Sequence, residues 1–240
     1  MLFDTHCHVN FYDDVPGLLR EIEAQAIAVT LVTTEPEHFP ACCELARNND
    51  HIHPALGLLP HDIVRLAPQL DRFLELLPQT NYVGEIGLDY VTENEDERAL
   101  QRAVFDDILS ACADAGNKII SIHSRRAAND VISRVAGDFP GAIILHWFSG
   151  SEENVGSATG CYFSINPAMI SSRSGKKLIR AMHPERILTE TDGPCVQVDG
   201  RPARPSDVKR VINFFSQEWA CSFGEAAHRI AENALRAGLG

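Results

Sequence analysis

Short apolar or β-branched runs alternate along the whole chain with longer stretches whose apolar positions recur at helical spacing. Leu2–Val9 reads as a first strand and Val15–Ala26 as its helix; Ile27–Val32 and Pro36–Asn48 repeat the pair. A weaker third strand, His53–Gly57, precedes a leucine-rich helix over Ile63–Leu77. Tyr82–Ile86 leads into a long helix, Glu95–Ala115, that Gly116 ends, and Lys118–Ile122 into Ala127–Ala136, ended by Gly137. Ala142–Leu145 and Cys161–Ile165 are the sixth and seventh strands, with a short helix over Lys176–Met182, and Arg186–Leu188 begins the eighth. Such alternation implies parallel strands joined by crossovers. Eight units over 240 residues is the number that closes an α/β (βα)8 TIM barrel, with an open doubly wound sheet as the alternative. Two C-terminal helices follow, Ser206–Ala220 and one opened by the capping box Ser222-Phe223-Gly224-Glu225, and they are expected to pack outside the barrel. With no internal repeat or flexible linker, residues 1–240 read as one domain.

Composition narrows the function classes. The chain carries 33 acidic and 21 basic side chains, a net charge of −12, which argues against a broad electrostatic grip on nucleic acid. A phosphate-bearing substrate would have to be held locally, by a metal or a few positioned side chains. No apolar run is long enough to span a bilayer. The seven cysteines form no paired or zinc-knuckle framework, and Met1-Leu2-Phe3-Asp4 offers no secretory core, so a cytoplasmic protein with reduced thiols is expected.

The informative feature is where polar residues interrupt the strands. Strand alternation points Asp4, His6 and His8 to one face. Glu85 breaks an otherwise apolar fourth strand, His123 and His146 end the fifth and sixth, and Asp192 closes Thr189-Glu190-Thr191-Asp192 after the eighth. In a parallel barrel all these ends meet at one rim. Imidazole and carboxylate donors together suit zinc, manganese or iron, and a bridging carboxylate admits two ions. Any one of these residues alone is more often a hydrogen-bonded core or surface group; the ordered set points to a metal site.

The motifs Asp4–Val9 (DTHCHV), Gly84–Tyr90 (GEIGLDY), Ile122–Arg125 (IHSR), Leu145–Ser151 (LHWFSGS) and Thr189–Pro194 (TETDGP) resemble, in order, those of TatD-type metal-dependent deoxyribonucleases, a branch of the amidohydrolase-like barrels. The resemblance spans the chain, to Asn233-Ala234 in the last helix. It implies that His6, His8 and Asp192 bind one divalent ion and that Glu85 bridges to a second held by His123 and His146, the ions being Mg, Mn or Zn. It further implies that Asp192 and Glu85 are catalytic and that the reaction is hydrolysis of DNA phosphodiesters, from the 3′ end of single strands. Asp4 is expected to orient a histidine ring through its distal nitrogen or else to make an unrelated inward hydrogen bond, and Arg125 to meet a substrate phosphate or else form a surface salt bridge. Ser124 and Ser149 read as loop or cap residues.

Three departures from the family pattern stand out. Leu59 occupies an imidazole position in Gly57-Leu58-Leu59-Pro60-His61, leaving His61 as the substrate-binding residue there. Trp147 replaces a cysteine beside His146 and offers a flat surface for a base or for packing. Ala203-Arg204-Pro205 stands where an Asn-Glu-Pro turn is usual, and Arg201 and Arg204 are expected either to supply local positive charge for DNA or to be ordinary solvated surface. Two other readings compete. One is an amidohydrolase-type enzyme of a small substrate, disfavoured by Glu85 on the fourth strand, where that class often carries a modified lysine. The other is a scaffold or altered-activity subunit with protein partners, since TatD-like chains resembling this one also occur in bacterial antiphage cassettes of the Qat type.

Overall fold

The computed structural model describes residues 1–240. Eight parallel strands form the barrel: β1 (Leu2–Cys7), β2 (Ile27–Val32), β3 (Ile52–Ala55), β4 (Tyr82–Gly87), β5 (Lys118–His123), β6 (Gly141–His146), β7 (Tyr162–Ile165) and β8 (Ile187–Thr189). Ladders run β1-β2-β3 and β4-β5-β6-β7-β8, all parallel. The two arcs meet on one side through a parallel bridge between Leu56 and Val83 and through Gly84 N–H donating to Leu56 at 2.8 Å. On the other side, side-chain and backbone hydrogen bonds together close the barrel. Thr5 Oγ1 donates to the Thr189 carbonyl at 3.1 Å and Thr189 Oγ1 to that of Phe3, while Asp192 N–H reaches the His6 carbonyl at 2.9 Å.

The intervening helices are α1 (Val15–Gln25), α2 (Phe39–Ala46), α3 (Ile63–Leu66), α4 (Leu70–Leu76), α5 (Glu95–Ala115), α6 (Ala128–Val135), α7 (Glu152–Ser157), α8 (Pro167–Ser171) and α9 (Arg173–Ala181). Local chemistry sets their ends. The Asn94 side chain accepts from Asp96 and Glu97 N–H at the start of α5, whose first turn carries three acids that complement its dipole. The single helix expected over Ile63–Leu77 is instead α3, a 3-10 turn at Ala67–Gln69, and α4, because Pro68 has no N–H to give the ladder. The sequence pattern gives no sign of helices α7 and α8.

After β8 comes a small hairpin, β9 (Gln197–Val198) with β10 (Arg201–Pro202). Then α10 (Val208–Glu218) and α11 (Phe223–Arg236) pack on the outside, α11 opening on the expected Ser222/Glu225 capping box. The main core lies between strands and helices around Phe73, Phe105, Phe148 and Phe215. The strands also bury Asp4, Thr30, Glu85, Ser121 and Ser164, so polar groups are placed on the strands themselves. No helix is long and apolar enough to cross a membrane.

Candidate metal centre

The strand ends bring His6, His8, Glu85, His123, His146 and Asp192 together at the C-terminal rim, as the alternation on β1 and the barrel geometry require. Glu85 lies at the middle. Its Oε2 is 3.7 Å from His6 Nε2 and 3.6 Å from His8 Nε2, while its Oε1 is 2.6 Å from His123 Nδ1 and 3.8 Å from His146 Nε2. Asp192 Oδ1 faces the same two imidazoles as Glu85 Oε2, at 3.9 Å from His6 and 3.5 Å from His8. The rings of His6 and His146 stack with centroids 3.6 Å apart.

These spacings fit divalent cations. Two bonds of about 2.1 Å at a tetrahedral angle leave their donor atoms about 3.4 Å apart, close to the 3.5–3.9 Å found around His6, His8 and Asp192. His6 Nε2 is buried with no hydrogen-bond partner of its own, a costly state for a polar atom unless an ion takes the lone pair. Burial and the neighbouring His146 also lower the His6 pKa, which keeps the ring neutral and able to donate.

The residues behind the donors decide which nitrogen each imidazole presents. Ser121 Oγ on β5 is 2.7 Å from His6 Nδ1, leaving Nε2 toward the carboxylates. Glu190 Oε2 is 2.9 Å from His146 Nδ1, and Asp89 Oδ2 is 2.9 Å from His123 Nε2. Glu190 is fully buried and also accepts from Trp147 N–H at 3.1 Å, Asn166 Nδ2 at 3.0 Å and the Ser164 hydroxyl. Sequence reasoning missed Ser121, Asp89 and Glu190, although Asp89 and Glu190 lie inside quoted motifs.

Asp4 takes the second of its two expected roles, an inward hydrogen bond. Its carboxylate accepts from Thr191 N–H at 2.8 Å, from the Thr191 hydroxyl and weakly from His6 N–H, so it holds backbone across the β1–β8 closure and touches no imidazole ring. Burial pushes its pKa well up despite those donors.

The protonation pattern follows from the contacts. Burial works to raise the Glu85 carboxyl, yet His123 and His6 hold it well below the usual carboxylate range. Burial disfavours a proton on His123, but Asp89 and Glu85 outweigh it and raise that ring to about 9. In His146 burial is likewise overcome, chiefly by Glu190, and the ring rises to about 10. Asp192, against the raising effect of burial, is lowered by the His8 contact and by the nearby His146.

The cluster floors a cavity of about 550 Å³ whose walls include Phe11, Leu59, His61, Arg125, Trp147 and Cys195. His61 Nδ1 reaches Asp89 at 3.9 Å, Arg125 is exposed, and Ser124 and Ser149 also line the wall. Arg201 and Arg204 do not line it. Arg201 forms two hydrogen bonds with Asp207, at 2.7 and 3.0 Å, and Arg204 Nε donates to Glu21 at 2.6 Å, so carboxylates at the start of α10 and on α1 take up both charges.

A parallel (βα)8 barrel with such histidines and carboxylates at its C-terminal rim is the architecture of a metal-dependent hydrolase. The family model for TatD-related DNases matches residues 3–237, and the chain belongs to that family. Human deoxyribonuclease TATDN3 is 27% identical over 98% of this chain and 93% of its own length. The uncharacterized metal-dependent hydrolase YabD of Bacillus subtilis (strain 168) is 28% identical over 98% of both chains. A further relative, the crystal structure of the TatD homologue YjjV from Escherichia coli K12, superposes with a TM-score of 0.87 over 98% of this chain and 97% of that one, at 24% identity. The last likeness establishes the fold.

Proposed function

We propose that this hydrolase cleaves phosphodiester bonds of DNA, releasing nucleotides from the 3′ end of single strands, with two divalent ions, Mg, Mn or Zn. The observation that carries the proposal is the division of Glu85: one carboxylate oxygen faces His6 and His8, the other His123 and His146. A carboxylate so shared suits a bridging role between two donor groups, the first completed by Asp192. Ions held there would lower the pKa of a water and neutralise charge on the phosphate.

The remaining work falls to the chain. Asp192 is nearly buried, lines the cavity and is held ionised by the imidazoles around it, so it is placed to accept the proton of the attacking water. Asp89 and Glu190 keep His123 and His146 in the orientation that presents Nδ1 and Nε2 to Glu85. Arg125 carries no ion pair, and its guanidinium suits a phosphate oxygen on the entering strand. His61 stands beside Asp89 on the same wall. All seven cysteines are unpaired, which suits the reducing cytoplasm.

The test is release of mononucleotides from 3′-labelled single-stranded DNA with Mg or Mn, run beside Glu85→Gln and a chelator control. Metal-dependent release by the native protein alone is expected. Equal release by Glu85→Gln, or none by folded, metal-loaded native protein, would remove the mechanism.

A further inference from the structure

The cavity wall is poor in cations, and that raises the question of what holds a strand there. Arg125 is the one arginine or lysine lining it, in a chain of net charge −12. Two aromatic rings stand in the same wall, one against each donor group. Phe11, 45% exposed, stacks on His8 with centroids 5.1 Å apart and planes 7° from parallel. Trp147, 39% exposed, meets His146 edge-on with centroids 6.4 Å apart.

Trp147 is held in place against a backbone cost. Its φ of 38° lies in the left-handed region, where a bulky side chain is disfavoured and glycine would be free of strain. Glu190 fixes that conformation by accepting the Trp147 N–H. The indole is only partly buried, so packing offsets little of the strain, and such strain clusters at functional positions. The ring also lines a second groove, shared with Ser149, that runs on past Ser172, Ser174 and Lys177 at α9.

We infer that Phe11 and Trp147 are the specificity-determining pair of this site: bases flanking the cleaved bond stack on them, which gives the single-strand preference proposed above its physical basis. The inference rests on the phosphodiesterase reading above. A base inside a duplex has both faces covered by its neighbours and cannot reach either ring, whereas a single strand can turn its bases outward. Stacking is tolerant of sequence and adds affinity along the wall, where Arg125 is the one arginine or lysine.

The test uses metal-free protein with Trp219→Phe, which leaves Trp147 as the sole indole of the two in the chain. Its fluorescence is titrated with an oligothymidylate, with an abasic oligomer of equal length and charge, and with a duplex. Quenching by oligothymidylate is expected, together with binding about tenfold or more tighter than the abasic oligomer or the duplex. Read by the fluorescence anisotropy of labelled oligomers, Phe11→Ala or Trp147→Leu should each erase most of that difference, and Trp147→Phe should retain it. Equal affinity for the abasic and thymidylate strands, or full affinity in both truncations, would overturn the stacking pair and leave the hydrolase reading standing. Absence of binding to every oligomer would overturn the stacking pair, while the hydrolase reading is tested separately by metal-dependent nucleotide release.

Discussion

Replacing Glu190 with Gln removes one charge at constant shape from the most heavily hydrogen-bonded carboxylate at the rim. In the native site its oxygens meet only donors or rings: His146 Nδ1, the Ser164 hydroxyl, Trp147 N–H and Asn166 Nδ2. A glutamine amide must turn its NH2 toward one of the two sides. Facing Trp147 and Asn166, it sets donor against donor. Facing His146 and Ser164, it forces the imidazole to accept at Nδ1 and carry its proton on Nε2, the atom 3.8 Å from Glu85. Either way a fully buried donor is left unsatisfied, at about 1–3 kcal/mol. At about 2–4 °C per kcal/mol for a chain of this size, the metal-free Tm should fall by roughly 2–12 °C. Loss of the outer partner of a metal-binding histidine typically costs about 10–100-fold in affinity. Calorimetric titration with Mn and a thermal scan read both effects. An unchanged Tm with unchanged Mn affinity would refute the role given to Glu190.

Metal uptake should release protons, because His123 and His146, raised to about 9 and about 10, are charged at neutral pH without metal and must be neutral to coordinate. Titration enthalpies in buffers of different ionisation heat should show about two protons released per chain near pH 7, with affinity rising toward pH 9–10; buffer-independent heats would contradict this. The same raised values stabilise the metal-free fold fully below the unfolded histidine pKa of about 6.5, and that contribution should fade as pH rises through about 9 to 10. Arg201→Ala with Arg204→Ala should leave the DNA KM unchanged, since Asp207 and Glu21 occupy both groups, while costing only about 1 kcal/mol, because Asp207 keeps the Arg204 N–H and the Arg210 guanidinium; a raised KM would return them to the substrate. Gly87→Ala should lower both stability and metal content, because its φ is 138° and a Cβ there would sit 2.1 Å from the His123 carbonyl oxygen; wild-type metal content would refute the coupling.

Much of the architecture was legible because it depends on periodicity. Ile27–Val32 and Glu95–Ala115 stand where the pattern placed them, since each has a continuous apolar signal and clear terminal chemistry. The helix over Ile63–Leu77 failed where a proline lay within a good apolar pattern, and α7 and α8 are too short to show a period. At the rim, histidines and carboxylates on strands were conspicuous as polar breaks. Their supports were not: Ser121 is an ordinary strand residue until β5 is set beside β1, and Glu190 and Asp89 acquire meaning only from the imidazoles across the barrel. For Arg201 and Arg204 the sequence left two roles open, and their partners Asp207 and Glu21 become visible only in the fold.

The most direct measurement of the central claim is an anomalous difference map from crystals of the protein grown with Mn. Two peaks are expected, one among His6, His8 and Asp192 and one between His123 and His146, with a different Glu85 oxygen bound to each. A single peak, or Glu85 touching one ion only, would contradict the bridged centre on which the proposed hydrolysis depends.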